Sequence, residues 1–244
     1  MKVNKSLTVN NIKAIVFDLD DTLFDCYNQL VIPARKFALR QMISAGLDVS
    51  FEELSAMRAR LSNTSEEHIY RKLIKSFNIS DEKKSAKIMN AGFYSYYNYF
   101  QIKRPEIKPF PNVKECLNKL KESYNIFLLT AGVVRTQELK VESLGLKNCF
   151  HKLYFQDLKD GFDKEKILRE IMKDNDLNPE EVLVVGNRID SDIAPAKNIG
   201  AHTLLIKHGE HAHIEPKDES EMPDIECKNV CEINKIFTQS DTDN

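Results

Sequence analysis

Short unbroken apolar runs alternate along the chain with segments of helical spacing, except over one long stretch where only helical spacing occurs. Ala14-Ile15-Val16-Phe17 is the first run, and its β-branched and aromatic residues predict a buried strand. Four more strands are expected at Asn125-Ile126-Phe127-Leu128-Leu129, Lys152-Leu153-Tyr154-Phe155, Glu181-Val182-Leu183-Val184-Val185 and Thr203-Leu204-Leu205-Ile206, with a short edge strand at Ile225. Helices are expected between them: 113–122, 133–144 ended by Gly145, 163–173, 193–199 ended by Gly200, and 230–237. Strands alternating with helices across short links give an α/β fold, a parallel sheet with helices on both faces.

The exception runs from about Tyr27 to Arg104. Phe37, Leu39, Met42 and Ile43 predict an amphipathic helix ended near Gly46. Ser50 followed by Glu53 is a capping-box pattern opening a second, with Leu54, Met57 and Leu61 on its buried side. A third covers Ser65 to Ser76, with Ile69, Leu73 and Ile74, and a fourth runs from about Asp81 to Phe100. The stretch is bounded by the turn after Phe24 and by Pro105, Pro109 and Pro111. The expected organisation is a Rossmann-like core of residues 1–25 and 106–244 with a helical insert of residues 26–105. The fourth helix is dense in rings (Phe93, Tyr94, Tyr96, Tyr97, Tyr99, Phe100). Packing accounts for most of them, leaving one or two to line a pocket, and spacing nominates none.

Composition narrows the picture. With 244 residues, 42% of them hydrophobic, the chain can bury a sizeable core. A formal net charge of -2 gives no bulk attraction to nucleic acid. No apolar stretch of spanning length occurs, and Met1-Lys2-Val3-Asn4-Lys5 lacks the apolar core of a secretory signal. Five scattered cysteines fit reduced thiols, so a cytoplasmic protein is expected. Asn63-Thr64-Ser65 and Asn78-Ile79-Ser80 match the glycosylation pattern by chance on this reading.

The chemistry lies at the strand ends. Three apolar strands stop at chemically loaded groups: Asp18 and Asp20, Thr130, and the cluster from Asn187 through Asp190 to Asp192. The carboxyl ends of parallel strands lie on one edge of a sheet, where ligands bind. Acids gathered there repel one another and recruit a cation, and hard oxygen ligands suit Mg²⁺. The competing reading makes Asp20 or Asp21 a helix cap. A calcium loop fits less well, because the EF-hand glycine and distal glutamate are missing.

Asp18-Leu19-Asp20-Asp21-Thr22-Leu23 resembles the DxDxT signature of the haloacid dehalogenase-like superfamily, most of whose members are phosphohydrolases. Leu128-Leu129-Thr130-Ala131-Gly132 resembles its second motif. That resemblance implies that the Thr130 hydroxyl and the Ala131 N–H hold phosphoryl oxygens, while Thr130 serves equally as a helix N-cap. Lys164, in Asp163-Lys164-Glu165-Lys166, is similar to the third-motif lysine, with Lys166 and then Lys159 as competitors. A cation at a helix start opposes the dipole, which suggests another partner for it. The fourth motif departs: Gly186-Asn187 stands where the family usually has Gly-Asp. Asn187 offers a neutral, weaker oxygen, Asp190 is a possible substitute ligand, and Asp192 is either the supporting acid or a cap for the helix at Ile193.

What the resemblance implies is a Mg²⁺-dependent phosphatase acting on a small phosphorylated metabolite. Asp18 would be the nucleophile, Asp20 the acid and base, and Asp18, the Asp20 carbonyl, Asn187, Asp190 and Asp192 the candidate metal ligands. The dehalogenases of the superfamily carry no acid at the Asp20 position, so Asp20 argues for phosphoryl chemistry. The insert resembles the family's first type of helical cap. The rivals are a phosphomutase on the same core and a phosphate-ligand-binding or regulatory protein with weakened catalysis. His208, His211 and His213 read as a polar loop in preference to a transition-metal site, and Cys227 and Cys231 as ordinary small residues.

Overall fold

The computed structural model describes residues 2–3, 11–61, 66–157, 159, 161 and 163–233. The chain divides into two compact units, residues 1–27 with 106–244, and residues 28–105.

The first unit is built on a seven-stranded sheet: β1 (Lys2–Val3), β2 (Ala14–Phe17), β3 (Asn125–Gly132), β4 (Lys152–Asp157), β5 (Val182–Gly186), β6 (His202–Ile206) and β7 (Ile225–Cys227). The order is β1-β7-β6-β5-β2-β3-β4, and every pairing is parallel except that of β1 with β7. No strand is expected before Ala14, and the structure adds β1 at Lys2–Val3, paired with β7. Two residues are too few to carry a period. β2 lies in the middle, with Phe17 opposite Leu128 on one side and Val185 on the other. Its four residues are all buried, which is why they read as a continuous apolar run. Ala14, Val16, Phe127, Leu129, Val182 and Val184 face one common core with Leu168, Ile171 and Met172.

The second strand run continues past Thr130 to Gly132, because β4 pairs with it as far as Gly132 opposite Asp157. The helix expected at 193–199 begins earlier, as a π-helical turn over Ile189–Ile193 that leads into Ala194–Asn198. Asp192 therefore sits inside the turn and does not cap it. Of the helix expected over 230–237, the structure shows a 3-10 turn at Val230–Glu232, and 234–237 lie outside the described residues.

The second unit is helical: α1 (Ile32–Ser44), α2 (Phe51–Arg60), α3 (Glu66–Ser76), α4 (Glu82–Tyr97) and α5 (Tyr99–Lys103), while the first unit carries α6 (Val113–Lys121), α7 (Val134–Ser143) and α8 (Lys164–Asp174) between its strands. Asn98 divides the expected last helix in two, since its side chain donates to the Tyr94 carbonyl at 2.9 Å and its backbone leaves helical geometry. Ala38, Leu39, Met42, Leu54, Ile69, Tyr70, Leu73, Ile74 and Ile88 form the interior. A Cβ on Gly92 would stand 2.7 Å from the Met42 sulfur, so glycine lets α4 approach α1 closely. Tyr96 meets Tyr70 and Tyr97 edge-on, whereas Tyr94 is 62% exposed. Asn63-Thr64-Ser65 lies outside the described residues. Among the described residues no helix is long and apolar enough to cross a membrane, and the five cysteines are free.

Candidate functional site

Between β2 and β5 the strand order reverses, since the chain goes from β2 to β3 and β4 on one side and returns to β5 on the other. A crevice opens beyond strand ends at such a reversal. Asp18 stands there. Its N–H donates to the Val185 carbonyl at 2.8 Å, which fixes the backbone, and the residue is only 9% exposed. The Thr22 hydroxyl donates to Asp18 Oδ2 at 3.3 Å.

Two further elements bring charge to this point. The helix α8 (Lys164–Asp174) is capped by Asp163, whose carboxylate accepts from the Lys166 N–H at 3.1 Å. Lys164, in its first turn, is buried, and its ammonium donates to Asp18 Oδ1 and Asp192 Oδ1, both at 2.6 Å. Here is the partner that its unfavourable place on the helix dipole called for. Lys159 and Lys166 are exposed. Asp192, 2% exposed, also accepts from the Arg188 N–H at 2.9 Å through its other oxygen, so Lys164 holds one side of the carboxylate and the turn after β5 the other. A Cβ on Gly186 would overlap the Asp192 carboxylate, which accounts for glycine at the strand end.

Burial pushes the Asp18 carboxyl up, to about 7, against the pull of Lys164, and Asp192 and Asp20 push it the same way. For Lys164, burial opposes the charge, but Asp18 and Asp192 outweigh it and raise the ammonium above the ordinary lysine value. Asn187, buried beside them, gives its amide N–H to the His208 carbonyl at 3.4 Å, leaving its oxygen as the atom for a cation. The candidate ligands Asp18, Asp192, the Asn187 side chain and the Asp20 carbonyl all offer oxygen, the donor type Mg²⁺ takes. The residues fit such an ion.

Asp190 is not brought into this group. Its carboxylate is gripped by the Arg188 guanidinium at 2.6 and 3.0 Å and its side chain is 64% exposed. Thr130 is buried, and its hydroxyl accepts from the Gln137 amide at 2.6 Å; the Ala131 carbonyl accepts from the same nitrogen at 3.2 Å. Val133, and not Thr130, occupies the N-cap position of the helix α7 (Val134–Ser143).

Two residues that the sequence reading missed complete the site. Gln137 donates to Asp20 Oδ2 at 3.2 Å, and Lys140 donates to both Asp20 oxygens at 2.8 and 3.0 Å. Both lie on α7 and both are buried. A signal existed: Gln137, Lys140, Val141 and Leu144 follow the spacing of a buried helix stripe, with two polar members where apolar ones are usual. On the far side of the turn after β2, Asp21, Asp25 and His208 bring ligand-capable atoms within 4.8 Å of one another. His208 Nε2 lies 3.3 Å from Asp25 Oδ1, and burial pushes the Asp21 carboxyl up to about 6. Of the three histidines in the loop, only His208 belongs to this group.

The haloacid dehalogenase-like hydrolase family matches residues 15–206. A glyceraldehyde 3-phosphate phosphatase of Methanopyrus kandleri is 30% identical, covering 88% of this chain and 92% of its own. A phosphoglycolate phosphatase of Vibrio vulnificus is 27% identical, covering 93% and 96%. Among solved structures, a Bacillus subtilis HAD-hydrolase in a magnesium-bound crystal form has a TM-score of 0.64 at 16% identity, covering 93% of this chain and 98% of that one. The chain belongs to the haloacid dehalogenase-like hydrolases, on the phosphatase side of the family that its curated relatives occupy.

Proposed function

We propose that the protein is a Mg²⁺-dependent phosphatase that hydrolyses a small phosphate monoester through an aspartyl-phosphate on Asp18. The observation that carries the reading is the buried Asp18 carboxylate, held at the strand-order reversal and bonded to Lys164 beside Asp192. In the first half-reaction an Asp18 oxygen forms a bond to phosphorus as the bond to the ester oxygen breaks. Asp20 gives its proton to the departing alkoxide, and an alcohol leaves. In the second, Asp20 takes a proton from water, the water oxygen bonds to phosphorus, and Asp18 is regenerated with release of phosphate. Lys164, the Thr130 hydroxyl and the Ala131 N–H hold the non-reacting oxygens.

Asp18, Asp192, Asn187 and the Asp20 carbonyl would hold Mg²⁺, which when bound neutralises charge on the phosphoryl oxygens. The helical unit, entering the chain just after the first acidic strand end, is the part we assign to substrate choice as a cap. The relatives' names put glyceraldehyde 3-phosphate and phosphoglycolate at the head of a substrate panel.

The test is phosphate release from that panel and from p-nitrophenyl phosphate, with Mg²⁺ titrated after chelation. The wild type should need the ion, and Asp18→Asn should lose turnover while keeping its circular dichroism spectrum. Mg²⁺-dependent turnover in that variant would remove the nucleophile. Asn187 favours a second reading, a phosphate-ligand-binding protein, because a neutral ligand weakens the ion's hold. Calorimetric binding of these esters without phosphate release at millimolar Mg²⁺ would select it.

A further inference from the structure

The site holds three carboxylates and two buried lysines, and the lysines divide the acids between them. Lys164 takes Asp18 and Asp192, and Lys140 takes Asp20 alone, through both oxygens. Nothing in the phosphoryl chemistry described above uses Lys140. Yet burying an ammonium is expensive, and here it is done on a helix whose neighbouring turn carries Gln137, aimed at the same carboxylate. Burial opposes the Lys140 charge, and Asp20 more than restores it.

We infer that Lys140 is a positioning residue that fixes the orientation of the Asp20 carboxylate for proton transfer, with Gln137 tying that orientation to Thr130. The inference rests on the reading of Asp20 as acid and base. The physical argument is geometric. A carboxylate bonded through both oxygens to one ammonium cannot turn about its last bond without losing a charged hydrogen bond. Gln137 then joins Asp20, the Thr130 hydroxyl and the Ala131 carbonyl through a single nitrogen. The acid and the phosphate-holding strand end are thus set against each other by one helix. Without Lys140, Asp20 keeps the Gln137 amide but loses its fixed angle.

Proton transfer to the leaving group matters greatly for an alkyl ester and little for p-nitrophenyl phosphate, whose leaving group departs without help. The experiment therefore compares kcat/KM, which covers only the steps up to departure of the alcohol, for p-nitrophenyl phosphate with that for glyceraldehyde 3-phosphate or phosphoglycolate, whichever the wild type turns over faster. Four proteins are assayed: wild type, Asp20→Asn, Lys140→Met, and the double variant. Lys140→Met should lose about 10²-fold on the alkyl ester, in the range of a misplaced acid, and about threefold or less on the aryl ester. The double variant should lose no more than Asp20→Asn alone, because the lysine acts through the aspartate.

Equal losses on both esters from Lys140→Met, or losses that multiply in the double variant, would make Lys140 merely structural and overturn the inference. If Asp20→Asn itself shows no preference between the esters, the acid reading falls and the inference with it, a pattern visible without any Lys140 variant. Should Lys140→Met not fold, Lys140→Gln, which keeps an N–H donor in the same buried space without the charge, carries the same comparison with a smaller selective loss expected.

Discussion

The helical unit and the carboxyl edge of the sheet bury opposite kinds of side chain. The interior of the helical unit is apolar, from Ala38 and Met42 of α1 to Ile88 of α4. At the carboxyl edge of the sheet, Asp18, Thr130, Gln137, Lys140, Lys164, Asn187 and Asp192 are all buried together. In the first, every atom removed should lower stability, because close-packed apolar side chains gain from each contact. In the second, charge is held where water would solvate it better, so its removal can raise stability while ending the chemistry. Burial alone does not tell the two apart; the sign of the response does.

Leu73 gives the strongest response expected on the apolar side. It is fully buried among Leu54, Ile69 and Ile88. Leu73→Ala should cost about 2–5 kcal/mol, depending on how far the cavity collapses. Calorimetric melting is the measurement, and a fall in the transition of the helical unit is the expected result. A loss below about 1 kcal/mol would mean that this interior is loosely filled.

Asp18→Asn should act in the opposite direction. The folded protein holds this carboxyl near 7 against an ordinary 3.8, so ionised Asp18 works against the fold. Above pH 7 it is charged in both folded and unfolded states, and the full penalty is present. As pH falls through 7 the folded state takes up its proton first, and the penalty fades toward the ordinary value. The amide variant should therefore melt higher than wild type at about pH 8, by roughly 1–3 kcal/mol after the weaker bond to Lys164 is allowed for, and by less at about pH 5. A variant less stable than wild type at both values would show that Lys164 more than compensates the buried charge.

This contrast also explains what the sequence disclosed. Strands β2, β3 and β5 are buried on both faces and end in polar groups, so run and terminus are both visible in one dimension. Lys164 could be singled out by its resemblance to the third-motif lysine, and its place at a helix start, unfavourable to the dipole, called for a partner. Asp190 was one candidate ligand among three nearby polar residues, and only the fold shows Arg188 drawing it outward. Lys140 escaped because a lysine in a helix is ordinarily solvated, and the stripe it shares with Gln137, Val141 and Leu144 becomes informative only once its polar members are known to be buried. The break at Asn98 depends on a single side chain bonding back to Tyr94, which no periodicity records.

The smallest effect lies where polar groups serve neither packing nor chemistry. The Ser50 to Glu53 pattern predicts two reciprocal bonds at the start of α2. In the structure the Ser50 hydroxyl accepts from the Glu53 N–H at 3.1 Å, so Glu53 takes part through its backbone. At the turn Pro179–Glu181 both halves of such a box are formed, with the Asn178 N–H donating to the Glu181 carboxylate at 2.8 Å. Ser50→Ala should accordingly cost about 1 kcal/mol, the usual worth of an N-cap, whereas Glu53→Ala should change stability by less than about 0.5 kcal/mol. Urea unfolding of the two variants resolves this difference. Equal losses would mean that the Glu53 carboxylate closes the box in solution, and a negligible loss from Ser50→Ala would mean that water replaces the cap at this exposed end.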